Sequence, residues 1–373
     1  MSADGTRKIV HIVAGGAQGG ETTFVLALVD ALIRRGSQGI TTSVIGQADS
    51  YLLKCAEALG ASTFGADFFR SRIDPHLSFR LRHILRSIDP SLVHVHGGRA
   101  AFPLSFVPRD NSRWPIVYTV HGYHFCRQPQ GRRVLGAIAE RWISSRVDNT
   151  IFVGESDRRI AEKWHLIPSK AASRLIRNAI DFHVIPQVLD RQPRLVAFSG
   201  RLHYQKDPLF FVEIARELAS EGYTFVMMGS GSMEAEVRER VAAYGLSSVL
   251  QLHTELSREN AFELLRRASV CVVTSRWEGL PLLPLESMVM GVPVVAPNLE
   301  CMTEIVDSGV NGFLVPERRP SAFASAIRNL TNNDVLHASV VRAARERVLE
   351  DFSYDRWLAS YWDLYGLNGS PEV

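Results

Sequence analysis

Short apolar runs alternate with longer amphipathic stretches along this chain, and the series occurs twice. "KIVHIVA" (residues 8–14) reads as a buried strand, followed by the glycine-rich "GGAQGG" (15–20) and the amphipathic "ETTFVLALVDALIRRG" (21–36). Arginines in the last turn and a glycine at position 36 make a helix stop. "ITTSVIG", "SLVHVHGG", "PIVYTVHG" and "DNTIFVGES" continue the first series, two of them ending in His-Gly. The period is lost at "NAIDFHVIPQVLDRQPR" (178–194), which reads as a connection between domains. "RLVAFSG", "YTFVMMGSG", "VLQLHTE", "SVCVVTS", "VPVVAP" and "GFLVP" form the second series. Parallel strands need helical crossovers, so this alternation predicts α/β domains with doubly wound parallel sheets.

A chain of 373 residues is long for one core. The reading is two Rossmann-like domains, residues 1–185 and 186–352, and a helical tail, 353–373. The tail, "DFSYDRWLASYWDLYG" onward, carries aromatics at helical spacing and is expected to dock back on the first domain. Residues 1–185 hold 24 Lys and Arg against 15 Asp and Glu, a net of +9, whereas 186–373 hold 18 against 24, a net of −6. Such asymmetry suits a first domain facing an anionic acceptor or a membrane surface. No signal peptide or membrane span is read, which points to a cytoplasmic protein. Cys55, Cys126, Cys271 and Cys301 are scattered without a C-x-x-C pair, and no cluster of metal ligands is read, so no metal and no cofactor are expected. The basic half carries no nucleic-acid motif.

Ligands of open α/β sheets bind beyond the carboxyl ends of the strands. Gly16, Gly19 and Gly20 follow the first strand, although the spacing is neither G-x-G-x-x-G nor a Walker loop. His121 ends "PIVYTV". Arg201 and Lys206 follow "RLVAFSG" and could hold a diphosphate, guanidinium by its planar fork and ammonium as a point charge. Gly229 and Gly231 follow "YTFVMM". After "SVCVVTS" come Arg276 and Glu278, then the turn Gly279, Leu280, Pro281, Leu282, then Glu286 on the next helix. Carboxylates accept several hydrogen bonds at once and suit sugar and ribose hydroxyls. Cations for a diphosphate beside acids for hydroxyls make a recognition set for a nucleotide sugar.

These motifs resemble the retaining nucleotide-sugar glycosyltransferases of family 4, which have the GT-B fold of two Rossmann-like domains facing a cleft. The resemblance spans nearly the whole chain. It is strongest from "SGRLHYQKDP" through "EGLPLLPLESMVMGVPVVAP" to "EIVDSGVNGFLVP". It implies that Arg201 and Lys206 bind the donor diphosphate, Glu286 the ribose and Glu278 the donor sugar. It also implies that His121 lies near the sugar and leaving phosphate, that Gly19 or Gly20, and secondarily Gly15 or Gly16, lies against phosphates or acceptor, and that the base packs near Leu252 and His253. Gly231 and Asn178 join the donor set, Asn178 standing in Asn-Ala where such enzymes carry Asn-Gly. No metal is implied, and no D-x-D motif is present. Glu300 and Cys301 depart from the family's Gly-Gly after "VPVVAP". The segment 64–87 carries five arginines, four phenylalanines and two histidines, and with Arg127, Arg132 and Arg133 it suggests a glycan or polyprenyl-diphosphate acceptor at an anionic membrane. Alternatives are a non-catalytic nucleotide-sugar-binding relative and a dinucleotide-dependent Rossmann enzyme, the latter lacking its glycine fingerprint.

Overall fold

The structure is a computed structural model; residues 6–34, 39–71, 74–108, 114–181 and 191–367 are described. Gly36 and most of the expected connection, residues 182–190, lie outside them, as do residues 72 and 73 of the basic segment. The chain divides into two compact units at Arg177/Asn178 and again at Ala359/Ser360, ahead of the 185/186 boundary expected from the lost period.

In the first unit the elements are β1 (Arg7–Val13), α1 (Gly20–Arg34), β2 (Ile40–Gly46), α2 (Tyr51–Ala58), β3 (Ser62–Gly65), α3 (Pro75–Ile88), β4 (Leu92–His96), α4 (Gly97–Leu104), β5 (Ile116–Val120), α5 (Gln130–Ser144), β6 (Asn149–Phe152), α6 (Glu155–Lys163) and β7 (Ala172–Leu175). The sheet is parallel, in the order β3-β2-β1-β4-β5-β6-β7, so the winding reverses between β1 and β4. β4 and β5 are buried throughout, including the polar His94, His96 and Thr119.

In the second unit follow β8 (Leu195–Ser199), α7 (Pro208–Leu218), β9 (Thr224–Met228), α8 (Glu234–Ala243), β10 (Leu250–His253), α9 (Arg258–Leu265), β11 (Val270–Val272), α10 (Leu282–Val289), β12 (Val294–Pro297), α11 (Glu300–Thr303), β13 (Phe313–Val315), α12 (Pro320–Thr331), α13 (Asp334–Asp351) and α14 (Tyr354–Leu364). Its parallel sheet runs β10-β9-β8-β11-β12-β13, reversing between β8 and β11. On α7, Phe211, Val212, Ile214, Ala215 and Leu218 are buried, the stripe that a helix crossing one face of a sheet must present.

From Ser360 the chain belongs to the first unit. There Tyr361, Trp362 and Tyr365 are buried, Arg7 donates to the Tyr365 carbonyl at 3.1 Å, and Arg174 pairs with Asp363 at 2.6 Å.

Candidate functional site

The winding reversal in the second unit brings the β8–α7 and β11–α10 loops side by side, and these loops carry Arg201, Lys206 and Glu278. Lys206 Nζ meets Glu278 Oε1 at 2.5 Å. Ser275 Oγ donates to the same oxygen at 2.5 Å, and Gln205 Nε2 donates to the other at 3.4 Å. The Glu278 side chain is 7% exposed and that of Lys206 20%. Arg201 is exposed, and among the described residues its side chain meets no hydrogen-bond or ion-pair partner.

Asp207 is the residue that sequence reasoning missed. Its backbone is left-handed, φ 49°, and its carboxylate is not used to cap α7. Instead Oδ2 accepts from Arg276 at 2.7 Å and from Arg318 at 2.6 Å. Arg318 also donates to the carbonyls of Thr274 and Ser275, and Thr274 Oγ1 donates to the Lys206 carbonyl at 2.6 Å. A buried acid shared by two arginines thus ties the two loops and the segment after β13 into one rigid frame around Lys206 and Glu278. The clue was an acid directly before Pro208, where a helix start expects a cap.

Two glycines make the floor. A Cβ on Gly229, φ 137°, would sit 2.0 Å from the Gly200 carbonyl oxygen. One on Gly231 would sit 2.4 Å from that of Leu202. Gly200 N–H donates to Met228 and Leu202 N–H to Ser230, each at 2.9 Å, so the β8 and β9 loops touch backbone to backbone. Gly229 N–H also reaches the His253 carbonyl at 2.9 Å, bringing the end of β10, with half-buried Leu252 and His253, beside them.

Glu286 lies in the second turn of α10 and pairs with Arg258 at 2.8 Å. Gly279 and Leu282 are half-buried, and Leu280 and Pro281 are buried. Asn178 is buried, and its Nδ2 donates to the Leu280 carbonyl at 2.5 Å, so the residue holds the turn before α10. Its Oδ1 has no partner among the described residues. At the departure after β12, Cys301 is packed inside and Glu300 is an exposed acid in the first turn of α11.

In the first unit the glycines separate. A Cβ on Gly16 would lie 2.3 Å from the Ser50 Cβ, and its carbonyl accepts from Leu52 N at 3.0 Å. This buried glycine lets the loop after β1 approach the start of α2, a packing reason for a glycine at this position. Gly19 faces open space, with nothing within 4 Å of a would-be Cβ, and Gly20 opens α1 exposed.

His121 is half-buried just past β5, its ring edge-on to Phe24 at 4.9 Å. It does not stand alone. His11, His94 and His96 are fully buried beside it, with candidate ligand nitrogens of those three within 4.8 Å of one another. The expectation that no cluster of metal-ligating residues exists is therefore corrected. Register explains what spacing along the chain hid: His11 pairs with His94 across β1 and β4, and His96 with Thr119 across β4 and β5. Residues two apart share a face, so five polar groups line one side of the sheet. Burial pulls the His11 imidazole down to about 3; burial and then nearby His124 do the same to His121, also to about 3. Burial, with neighbouring histidines, drives His94 and His96 well down. All four are neutral at physiological pH.

Comparison with known proteins gives these sites a family. The Glycosyltransferase Family 4 model matches residues 18–184, and the Glycosyl transferases group 1 model matches residues 181–347. The UDP-Gal:α-D-GlcNAc-diphosphoundecaprenol α-1,3-galactosyltransferase of Escherichia coli is 24% identical over 316 residues, 76% of this chain and 77% of that protein. The putative glycosyltransferase EpsD of Bacillus subtilis is 24% identical, over 81% of this chain and 84% of its own. In fold the chain is similar to Anabaena HepE in complex with UDP and glucose, with a TM-score of 0.81 and 16% identity over 97% of this chain and 100% of that one. It is likewise similar to sucrose-phosphate synthase from Thermosynechococcus elongatus, with a TM-score of 0.79 and 18% identity over 96% and 98%. Two adjoining family matches that together run from residue 18 to residue 347, over two doubly wound sheets, make this chain a GT-B glycosyltransferase of family 4, group 1.

Proposed function

We propose that the protein transfers a hexose, with retention at the anomeric carbon, from a uridine-diphosphate sugar to a glycan or polyprenyl-diphosphate-linked acceptor in polysaccharide biosynthesis. The observation that carries this reading is the exposed Arg201, its side chain without a partner among the described residues, in the same strand-end loop as Lys206 of the Lys206–Glu278 pair at the winding reversal. In the reaction the bond from the anomeric carbon to the diphosphate oxygen breaks, and a bond from the acceptor oxygen to that carbon forms. The acceptor proton passes to the leaving diphosphate. Arg201 and Lys206 stabilise the charge that grows there, so the chemistry needs no metal. Glu278 orients Lys206 and meets sugar hydroxyls, Glu286 binds the ribose, and His121 hydrogen-bonds the donor sugar. Names of relatives support the donor base and the acceptor class: one uses UDP-Gal on a diphosphoundecaprenol-linked sugar, and HepE was solved with UDP.

A peripheral membrane contact fits the same reading. No described helix is long and apolar enough to cross a membrane. However, α5 turns Leu135 (67% exposed), Ile138 (60%) and Trp142 outward. Trp142 stacks on Phe106 at 5.7 Å, beside a groove of about 280 Å³ lined by Phe79, Phe102, Phe106 and Arg82. Arg146 lies over the Trp142 ring at 4.2 Å, and Arg80 on α3 and Arg132 on α5 are exposed. Exposed aromatic and aliphatic groups with arginines on the same helices suit an anionic lipid surface.

Titration calorimetry against UDP, GDP and ADP, and NMR of the product formed from the matching α-linked donor, test the reaction. Expected are selective binding of UDP and an α-linked product. Arg201→Ala should cost about 2–4 kcal/mol of barrier, roughly 30- to 900-fold in kcat. An inverted product, or no binding of any nucleoside diphosphate, would overturn the reading.

A further inference from the structure

Three of the four histidines form one hydrogen-bonded chain. His11 Nδ1 lies 3.1 Å from His96 Nε2, and His96 Nδ1 lies 3.4 Å from His121 Nε2. The rings are near-parallel, His11 with His96 at 19° and His96 with His121 at 25°. His94 stands outside the chain, its nitrogens taken by the Tyr365 hydroxyl at 2.5 Å and Thr119 Oγ1 at 2.7 Å.

A neutral imidazole has one N–H and one bare nitrogen. Because both nitrogens of His96 face other rings, only two proton arrangements keep both bonds. In one, every ring donates away from His121, which leaves His121 Nδ1 bare and His11 with a buried Nε2–H. In the other, every ring donates toward His121: His11 and His96 carry Nδ1–H, His121 accepts at Nε2 and carries its own proton on Nδ1. His11 Nε2 has no hydrogen-bond partner among the described residues. A buried N–H without an acceptor is rarer than an under-used acceptor, so the second arrangement is favoured.

We propose that His11 and His96 are positioning residues that hold His121 in the Nδ1–H tautomer, so that it meets the substrate as a neutral hydrogen-bond donor and not as a base. The proposal rests on the reading of His121 as a substrate-contacting residue. Burial, which keeps all three rings neutral, makes the tautomer choice meaningful. A metal ion at His11, His94 and His96 is the competing use of these rings. That group includes no carboxylate or thiolate, so a divalent ion would be buried without counter-charge, and His94 would have to surrender a hydrogen bond.

The test is long-range ¹H–¹⁵N correlation on the full-length protein labelled at histidine, with His121 assigned through the signal lost in His121→Gln. The wild type should show His121, His96 and His11 protonated on Nδ1. In His96→Leu the His121 proton should redistribute to Nε2, and kcat should fall at least about tenfold while the donor KM stays within about twofold. His11→Gln, whose amide can still donate to His96 Nε2, should keep the wild-type tautomer. If His96→Leu does not fold, His11→Leu reads the same release one ring further away. Wild-type His121 protonated on Nε2, an unchanged tautomer in the leucine variants, or stoichiometric metal whose removal shifts these rings would each overturn the proposal. Unaltered turnover in His121→Gln would remove the underlying reading of His121 while leaving the tautomer result standing.

Discussion

At the scale of single residues, near-identical sequence signals have different physical causes. Gly16 and Gly19 stand three positions apart in one glycine-rich loop. A methyl group on Gly16 runs into Ser50, whereas one on Gly19 meets nothing. Gly16→Ala is therefore expected to lower stability by about 1–3 kcal/mol, the range for overpacking. Gly19→Ala should leave stability within about 0.5 kcal/mol, as for a change that touches nothing. Denaturant titration of the two variants checks this, and equal losses would refute it. With stability unaffected, any change in donor or acceptor KM in Gly19→Ala reports contact with a ligand. Asp207 makes the same point from the other side. It stands where a helix cap is expected, yet its carboxylate holds two arginines from distant segments, which only the folded chain reveals.

At the scale of elements, β1, β4 and β5 present one polar face under α1 and the end of α14. Histidines held neutral by burial bind fewer protons in the folded than in the unfolded state below about pH 6.5. Their contribution to stability is complete above that pH and is lost as pH falls from 6.5 toward 3. Each such group adds a slope of about 1.4 kcal/mol per pH unit within the window. Glu140, pushed up to about 7 chiefly by burial, has the opposite sign: its contribution falls as pH rises from 4.5 toward 7. Four histidines against one such acid should give a first unit that melts progressively lower from pH 6.5 to 5. Calorimetry should show a shallower slope in His11→Gln than in the wild type, and a wild-type midpoint independent of pH over that range would contradict the burial argument.

At the scale of the whole molecule, charge is segregated along the chain, +9 against −6, and the basic part carries the exposed apolar surface of α3 and α5. Co-sedimentation with vesicles containing anionic lipid is expected, and far less with neutral vesicles. Each exposed arginine near the surface contributes about 1 kcal/mol, weakened by salt. Replacing Leu135 and Ile138 with serine should reduce binding about tenfold or more without changing UDP affinity, since about 25 cal/mol per Å² of apolar burial is lost. Binding unaffected by those changes would place the membrane contact elsewhere or remove it.

Local pattern was enough for much of this protein. Apolar runs and amphipathic periods report directly on neighbours in the chain, so the alternation of strands and helices, the two doubly wound sheets, the strand-end loops bearing Arg201, Lys206 and Glu278 and the helix bearing Glu286 were legible from the sequence alone. Partnership was not, because it depends on which loops the sheet order brings together. The Lys206–Glu278 and Arg258–Glu286 pairs, the two arginines on Asp207 and the turn-holding bond of Asn178 join residues far apart in the chain. The histidine chain shows the limit most directly. "KIVHIVA", "VHVHG" and "TVHG" were each read as strands, but strand register alone decides that their imidazoles share one face and touch.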